Sequence, residues 1–505
     1  MPPAHELSAG RLASLATDSR AAWLFSWPLL AGTYAYLYFL YQGKDLLLDG
    51  DTYSHIATGR WILENGVVPT QDPFSHTMRG TAWTAFEWLS QVILAAAHQL
   101  GGWTGLVALT ALAFAATIAL LTRALLRWLE PIYALMFAGL AISMTAGHVL
   151  ARPHMLAMPL MMIWTIELVR ASEANRAPRL WLLPLMTLWA NLHGGFTLGI
   201  ALAFAFALEA SLGARPQQRF AGTARSWGIF LVLAVACALL TPHGTRGLWV
   251  TWQVMFQDNY ALTRIGEWRS PDFHMLQPLE LWLLGGLALV LHQGLRLPPV
   301  RLLLLLGLIH LSLRHIRNVE LLGLLAPLFL ASPLAAHWRQ RQQAKPQLES
   351  ADRFFSKLAQ PAGQGAIVVS LIVLLAVPLW IARARPIDIP ESIAPLAALR
   401  AAQDAGISKG RVLNAYEWGG YLIYAGIPPF IDGRSDMYRD AFIKEYVSAL
   451  ELQTTDGLEK LLDNHKVTWT LLPPELSAVA LLDRLPGWRR VYADKTAVVH
   501  AKTIR

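Results

Sequence analysis

The sequence predicts a polytopic α-helical membrane protein of about eleven spans with a C-terminal, non-cytoplasmic α/β domain. Three observations carry that expectation. Of 505 residues, 54% are hydrophobic and only 15% are charged, where soluble proteins carry about 25% charged residues; so few charges could not cover the surfaces of soluble domains at this length. Apolar runs near the bilayer-crossing length of roughly 17–25 residues recur along the chain. The basic residues also gather in connections that fall on one side of those runs, as the positive-inside rule requires.

The runs lie near 21–41, 103–122, 133–150, 155–169, 179–193, 196–212, 226–241, 279–295, 302–313, 319–336 and 366–382. Basic clusters at Arg123/Arg127, Arg170/Arg176/Arg179, Arg215/Arg219/Arg225, Arg296/Arg301 and Arg339/Arg341/Lys345/Arg353/Lys357 then share one side. Arg11 and Arg20 join them only if 86–100 does not cross. That stretch contains Glu87 and stops at Gly101-Gly102, so it reads as a helix in the membrane interface. The expected topology has the N-terminus in the cytoplasm and the tail outside, with Arg383 and Arg385 against the rule. The net charge of +8 is then mostly a topology signal, and nucleic acid drops out as a partner. No cleavable leader is expected. The single cysteine, Cys237, excludes an intramolecular disulfide framework and a multi-cysteine zinc site.

Two pieces are expected on the non-cytoplasmic side. One is the first external loop, about 42–102, within a membrane domain of residues 1–383; the other is a domain of residues 384–505. In the loop, Asp51-Thr-Tyr-Ser-His can start a helix running to Glu64, with Asp51 as a good N-cap. Ile56 and Leu63 would share its apolar stripe. Asp49 and Asp51 either only cap this helix and bind water, or act on a substrate at the membrane surface. Carboxylates at this depth are costly without a partner or a role. Either could serve as a general base or hold a divalent cation. His55, one turn beyond Asp51, can share its face.

Some basic residues remain at external span ends: Arg152, His154, His193, His243, Arg264, Arg269, Arg314, His315 and Arg317. The i,i+3 spacing of Arg314 and Arg317 would put both guanidiniums on one helix face. Arginine pairs bidentately with phosphate oxygens, so this set suits a phosphate-linked lipid. It also suits pairing with Asp258, Glu267 or Glu320, or bulk headgroups. Glu267-Trp268 offers a weak sugar-binding signal in the lesser loop, about 242–278. In the tail, 411–415, 429–433, 467–472 and 498–501 look like short strands. Helix-like spacing at 441–452 and 455–465 between them suggests a small mixed sheet covered by helices.

An acidic first external loop, many spans and an external α/β domain together resemble the GT-C superfamily of membrane glycosyltransferases. Tyr416-Glu417-Trp418-Gly419-Gly420-Tyr421-Leu422, followed by Phe430-Ile431-Asp432-Gly433, is similar to the Trp-Trp-Asp-Tyr-Gly region of oligosaccharyltransferase catalytic subunits. It departs from that region in having one Trp, and Gly419-Gly420 where the family has an Asp. The resemblance implies transfer of a sugar from a polyprenyl-phosphate donor to an acceptor on the external side, in an inverting single displacement. It implies Asp51, or Asp49, as the catalytic carboxylate. Asp72 and Glu87, with His55, would form a second acidic site or contact the acceptor. Arg152, Arg314 and Arg317, with His154 and His193 beside them, would hold the donor phosphate.

A non-catalytic component of surface-polysaccharide assembly is the alternative. A transporter fits less well, because most charges lie at span ends rather than mid-span.

Overall fold

The computed structural model describes residues 23–213, 222–256, 260, 266–341 and 350–503. Arg11, Arg20, Arg215, Arg219, Asp258, Arg264 and Lys345 lie outside the described residues. The helices are α1 (Trp27–Gln42), α2 (Gly50–Asn65), α3 (Trp88–Leu125), α4 (Pro131–Thr145), α5 (Pro153–Glu173), α6 (Leu183–Leu192), α7 (Phe196–Gly213), α8 (Ala224–Ala238) and α9 (Thr245–Phe256). They continue as α10 (Pro278–Gln293), α11 (Pro299–Arg314), α12 (Val319–Arg341), α13 (Ser350–Lys357) and α14 (Gln364–Ala384). Proline at the first or second position opens α1, α4, α5, α6, α10 and α11, where its missing N–H costs nothing. Glycines in the left-handed region close α2 at Gly66 (φ 69°) and α10 at Gly294 (φ 63°).

Over its described residues, each of the eleven expected segments is mainly helical. By length and apolar composition six described helices can cross a membrane: Trp88–Leu125, Pro131–His148, Pro153–Glu173, Phe196–Gly213, Ile316–Gln340 and Gln364–Ala384. Leu180–Leu192 and Ala224–Ala238 are apolar but shorter. Residues 88–101 are helical, and the chain turns at Gly102 (φ 58°, ψ −151°) before α3 continues. The sequence expected a boundary at this point.

The bundle core is built from Phe39, Phe114, Trp164, Phe206 and Phe329, all essentially inaccessible. The tail contains α15 (Leu396–Asp404), β1 (Val412–Asn414), α16 (Gly419–Tyr424), α17 (Asp440–Leu450), α18 (Gly457–Asn464), β2 (Trp469–Leu472), α19 (Ser477–Leu482), β3 (Trp488–Ala493) and β4 (Val498–Lys502). Its sheet order is β1-β2-β4-β3, with β1 and β2 parallel and the other pairs antiparallel. This is the small mixed sheet expected, with one correction. Residues 429–433 are not a strand: Phe430 N–H donates to Asn414 Oδ1, Ile431 O accepts from Asn414 Nδ2, and Phe430 O accepts from Thr77 Oγ1. Side chains take the backbone groups that a ladder would have used.

The first loop shares the tail's apolar cores. Tyr53 of α2 packs among Trp418, Tyr421 and Leu422, and Trp83 packs among Phe430, Met437 and Tyr438.

Candidate active site

The site forms where α2, α5 and the tail meet. A second correction concerns the helix cap. Asp49, not Asp51, is the N-cap of α2: its backbone is extended and its Oδ1 accepts the Asp51 N–H at 2.7 Å. Asp51 is thereby left in the first turn with its carboxylate free of capping duty.

Arg152, the extended residue before α5, reaches both acids. Its Nη1 donates to Asp49 Oδ2 at 3.0 Å and to Glu267 Oε1 at 2.5 Å, and its Nη2 donates to Asp51 Oδ2 at 2.9 Å. The Ala151 N–H, bonded to Leu46 O, ties this corner to the chain entering α2. Burial opposes the Arg152 charge, but Asp49, Glu267 and Asp51 outweigh it and hold its pKa well above the ordinary value. Burial raises Glu267 too, yet Arg152 and Arg317 pull it below the usual carboxylate range. Asp51 goes the other way. Burial first, then the charge of Asp49, pushes it up to about 7, although Arg152 opposes them.

Beside this cluster Glu87 stands between two imidazoles, 3.5 Å from His193 Nε2 and 3.8 Å from His55 Nε2. His193 Nδ1 accepts the Gly195 N–H, so the neutral ring carries its proton on Nε2, toward Glu87. Burial pushes Glu87 up to about 8 and His55 down to about 3, and holds His193 well below its usual value. His154 lies 6.2 Å from His193, ring to ring, and its Nε2 is 3.1 Å from His148 O.

Arg317 stacks on Trp268 at 4.8 Å and approaches Glu267 to 3.9 Å. Arg314 is exposed. The shared face expected for this pair is corrected: α11 ends at Arg314, His315 is extended (φ −141°, ψ 121°), and a 3-10 turn carries Arg317. Helical i,i+3 geometry therefore does not apply to them.

Asp72 is engaged elsewhere. Its Oδ1 accepts from the Phe74 N–H and from Arg434 Nη1 at 2.7 Å, and its Oδ2 accepts from the N–H and hydroxyl of Ser75. Arg434 also forks onto Asp432, through Nε at 2.7 Å and Nη2 at 2.8 Å, while Tyr438 donates to Asp432 at 2.8 Å. Arg434 and its hydrogen bonds outweigh burial and hold Asp432 below the usual range.

The next residue, Gly433, lies directly against Asp51. A Cβ there would sit 1.7 Å from Asp51 Oδ1. The sequence marks Asp432-Gly433 only at the end of an expected strand and through the family resemblance, and Glu267 as a pairing partner. Neither was placed at Asp51, because both contacts join segments far apart in the chain.

The divalent cation does not fit the residues as they stand. The Oδ2 atoms of Asp49 and Asp51 both face the Arg152 guanidinium. Among the described residues no group of three or more His, Cys, Asp or Glu is arranged to hold a metal ion.

No family model and no curated protein matches the sequence. Solved structures do match. The apo oligosaccharyltransferase of Archaeoglobus fulgidus is 12% identical, aligns over 88% of this chain and 69% of its own, and gives a TM-score of 0.52. The same organism's oligosaccharyltransferase AglB, in complex with an inhibitory peptide and a dolichol-phosphate, is 11% identical over 94% of this chain and 74% of its own, with a TM-score of 0.51.

The fold is the GT-C fold. ArnT from Cupriavidus metallidurans bound to undecaprenyl phosphate also matches, at 15% identity over 94% of this chain and 97% of its own, with a TM-score of 0.49.

Proposed function

We propose that this chain is a membrane glycosyltransferase that takes a sugar from a polyprenyl-phosphate donor and transfers it to an acceptor on the external face. The observation that carries the reading is Asp51: an acid free of capping duty, its value raised to about 7, at the junction of α2, Arg152 and the tail of a GT-C fold. A general base works best with a pKa near the working pH, and burial and Asp49 raise this one toward it.

In the proposed step the acceptor oxygen bonds to the anomeric carbon while the bond from that carbon to the phosphate oxygen breaks. Asp51 takes the acceptor proton, and the polyprenyl phosphate leaves with the bonding pair, inverting the anomeric centre. Arg152 orients Asp51, pairs with Asp49, and with Arg317 holds Glu267 below the usual carboxylate range. Arg317 is the better placed phosphate contact, since it holds Glu267 only at 3.9 Å and presents its guanidinium against Trp268. A lipid phosphate is supported as ligand by the dolichol-phosphate bound to the archaeal enzyme of the same fold. Glu87 with His55 and His193 can receive hydroxyls of the transferred sugar or of the acceptor.

Asp51→Asn tests the reading. Glycan product in membranes of the source cells should fall at least 100-fold, the usual scale for losing a general base, while undecaprenyl phosphate still binds the purified variant in nanodiscs. Undiminished product would overturn the catalytic role and leave the non-catalytic assembly component in its place. Arg317→Ala should instead weaken undecaprenyl phosphate binding.

A further inference from the structure

Three glycines, Gly50, Gly420 and Gly433, bring the tail against the start of α2, and Gly419 packs within the tail beside them. A Cβ on Gly420 would lie 2.0 Å from Gly50 O, and one on Gly50 would lie 2.4 Å from Glu417 O. A Cβ on Gly419 would lie 2.1 Å from Ile431 O. Each of these would meet backbone, which cannot give way, so Gly420 and Gly50 are requirements of docking and Gly419 of the tail's own packing. Gly433 differs. Its φ is not positive, so its own conformation does not demand glycine. Its neighbour is the Asp51 carboxylate: 1.7 Å from the built Cβ to Oδ1, 2.8 Å to Cγ and 3.3 Å to Oδ2. The missing methyl group is the space that Asp51 occupies.

The turn bearing Gly433 is fixed on both sides. Asp432 before it and Arg434 after it are buried and bonded to each other, and Arg434 reaches across to Asp72 of the first loop. The Arg434 guanidinium also lies over Trp83 (4.6 Å) and Phe74 (5.2 Å) of that loop. One arginine thus clamps the tail turn to the loop that carries Asp51.

We propose that Gly433 is a positioning residue for Asp51, and that the Asp72–Arg434–Asp432 clamp holds its backbone against the Asp51 carboxylate, so that the tail forms one wall of the active site. The catalytic meaning of this wall rests on Asp51 being the base; the placement itself does not. The groups facing Asp51 are Asp49 on its own element, Arg152 from α5, Glu267 and Glu87 from the connecting segments, and Asp432 and Tyr416 from the tail. Against Gly433 the carboxylate is only partly exposed, with 26% of its side chain accessible. An alanine there would push its flexible end toward Arg152 and water.

The test uses full-length protein in lipid nanodiscs. A water-soluble carbodiimide with glycine ethyl ester is the probe, since it modifies protonated carboxyls, and mass spectrometry reads Asp51 from pH 5 to 8. Gly433→Ala should lower the midpoint of Asp51 modification by about one pH unit and leave the thermal unfolding midpoint near the native one. Product formation should fall about 100-fold, the cost of a misplacement of roughly 1 Å, with undecaprenyl phosphate binding retained. Gly420→Ala, which meets backbone, should lower the unfolding midpoint instead. An unchanged Asp51 midpoint in Gly433→Ala overturns the proposal.

If Gly433→Ala does not fold, Arg434→Lys carries the test. It keeps a charge but loses the fork, and an Asp51 profile identical to the native one overturns the proposal equally. Undiminished product in Asp51→Asn, alongside a shifted midpoint in Gly433→Ala, upholds the placement and removes only the base.

Discussion

Asp51 is subject to opposing influences whose balance can be measured. Burial and the Asp49 charge raise its pKa, Arg152 lowers it, and the result is about 7. A base is active when deprotonated, so the rate should rise with pH and level off above about 7. At pH 6 it should be about a tenth of the plateau, from one unit of protonation; a pH–rate profile flat between 5 and 8 would contradict the assignment. Arg152→Met removes the lowering influence, so Asp51 should protonate more readily still. It also leaves Asp49 and Asp51 without their cation and Glu267 with Arg317 alone, a loss on the order of 3 kcal/mol for a broken buried pair, read from chemical or thermal unfolding.

Glu87 gives a prediction of opposite sign in pH. Its folded value, about 8, lies above the ordinary range because of burial. Its contribution to stability is present below the unfolded value and is lost as pH rises through 8. Glu87→Gln mimics the protonated form. The variant should match the native unfolding temperature at pH 5 and exceed it at pH 9.

The elements show what was legible and what was not. The tail's strands near 412, 469 and 498 and the helices at 440–450 and 457–464 were readable because their residue spacing is local. The segment 429–433 misleads, since Pro-Phe-Ile has strand chemistry but Asn414, fifteen residues earlier than Pro429, occupies its backbone. Asp49-Gly50-Asp51 offers two caps, and which one binds the free N–H groups depends on where the chain leaves α1. Asp49 has two duties, the cap and the Arg152 pair, and substitution separates them. Asp49→Ser keeps an N-cap and loses the charge; Asp49→Ala loses both. The Ala variant should be less stable than the Ser variant by about 1 kcal/mol, the value of a cap, while Arg152 loses the same partner in each. Equal stabilities would mean that Asp49 matters to the fold only through its charge.

At the scale of the molecule, composition and periodicity announced the bundle, whereas the site was only half legible. Asp51 and Arg152 stood out as charges in an apolar chain, but Gly433 has no chemistry to notice, and its contact spans some 380 positions of sequence. The orientation of the whole rests on where basic residues fall. Arg176 lies in a connection grouped with the basic side, and Ser448 lies on α17 of the tail, which is expected on the other. Since Cys237 is the sole cysteine, Cys237→Ser provides a background for single-cysteine labelling. With a membrane-impermeant maleimide, Ser448→Cys should react in spheroplasts, and Arg176→Cys only after the membrane is opened. Both reacting from outside would break the positive-inside assignment. Ser448→Cys protected and Arg176→Cys labelled would invert it, placing Asp51 on the cytoplasmic face, with the tail that walls its site.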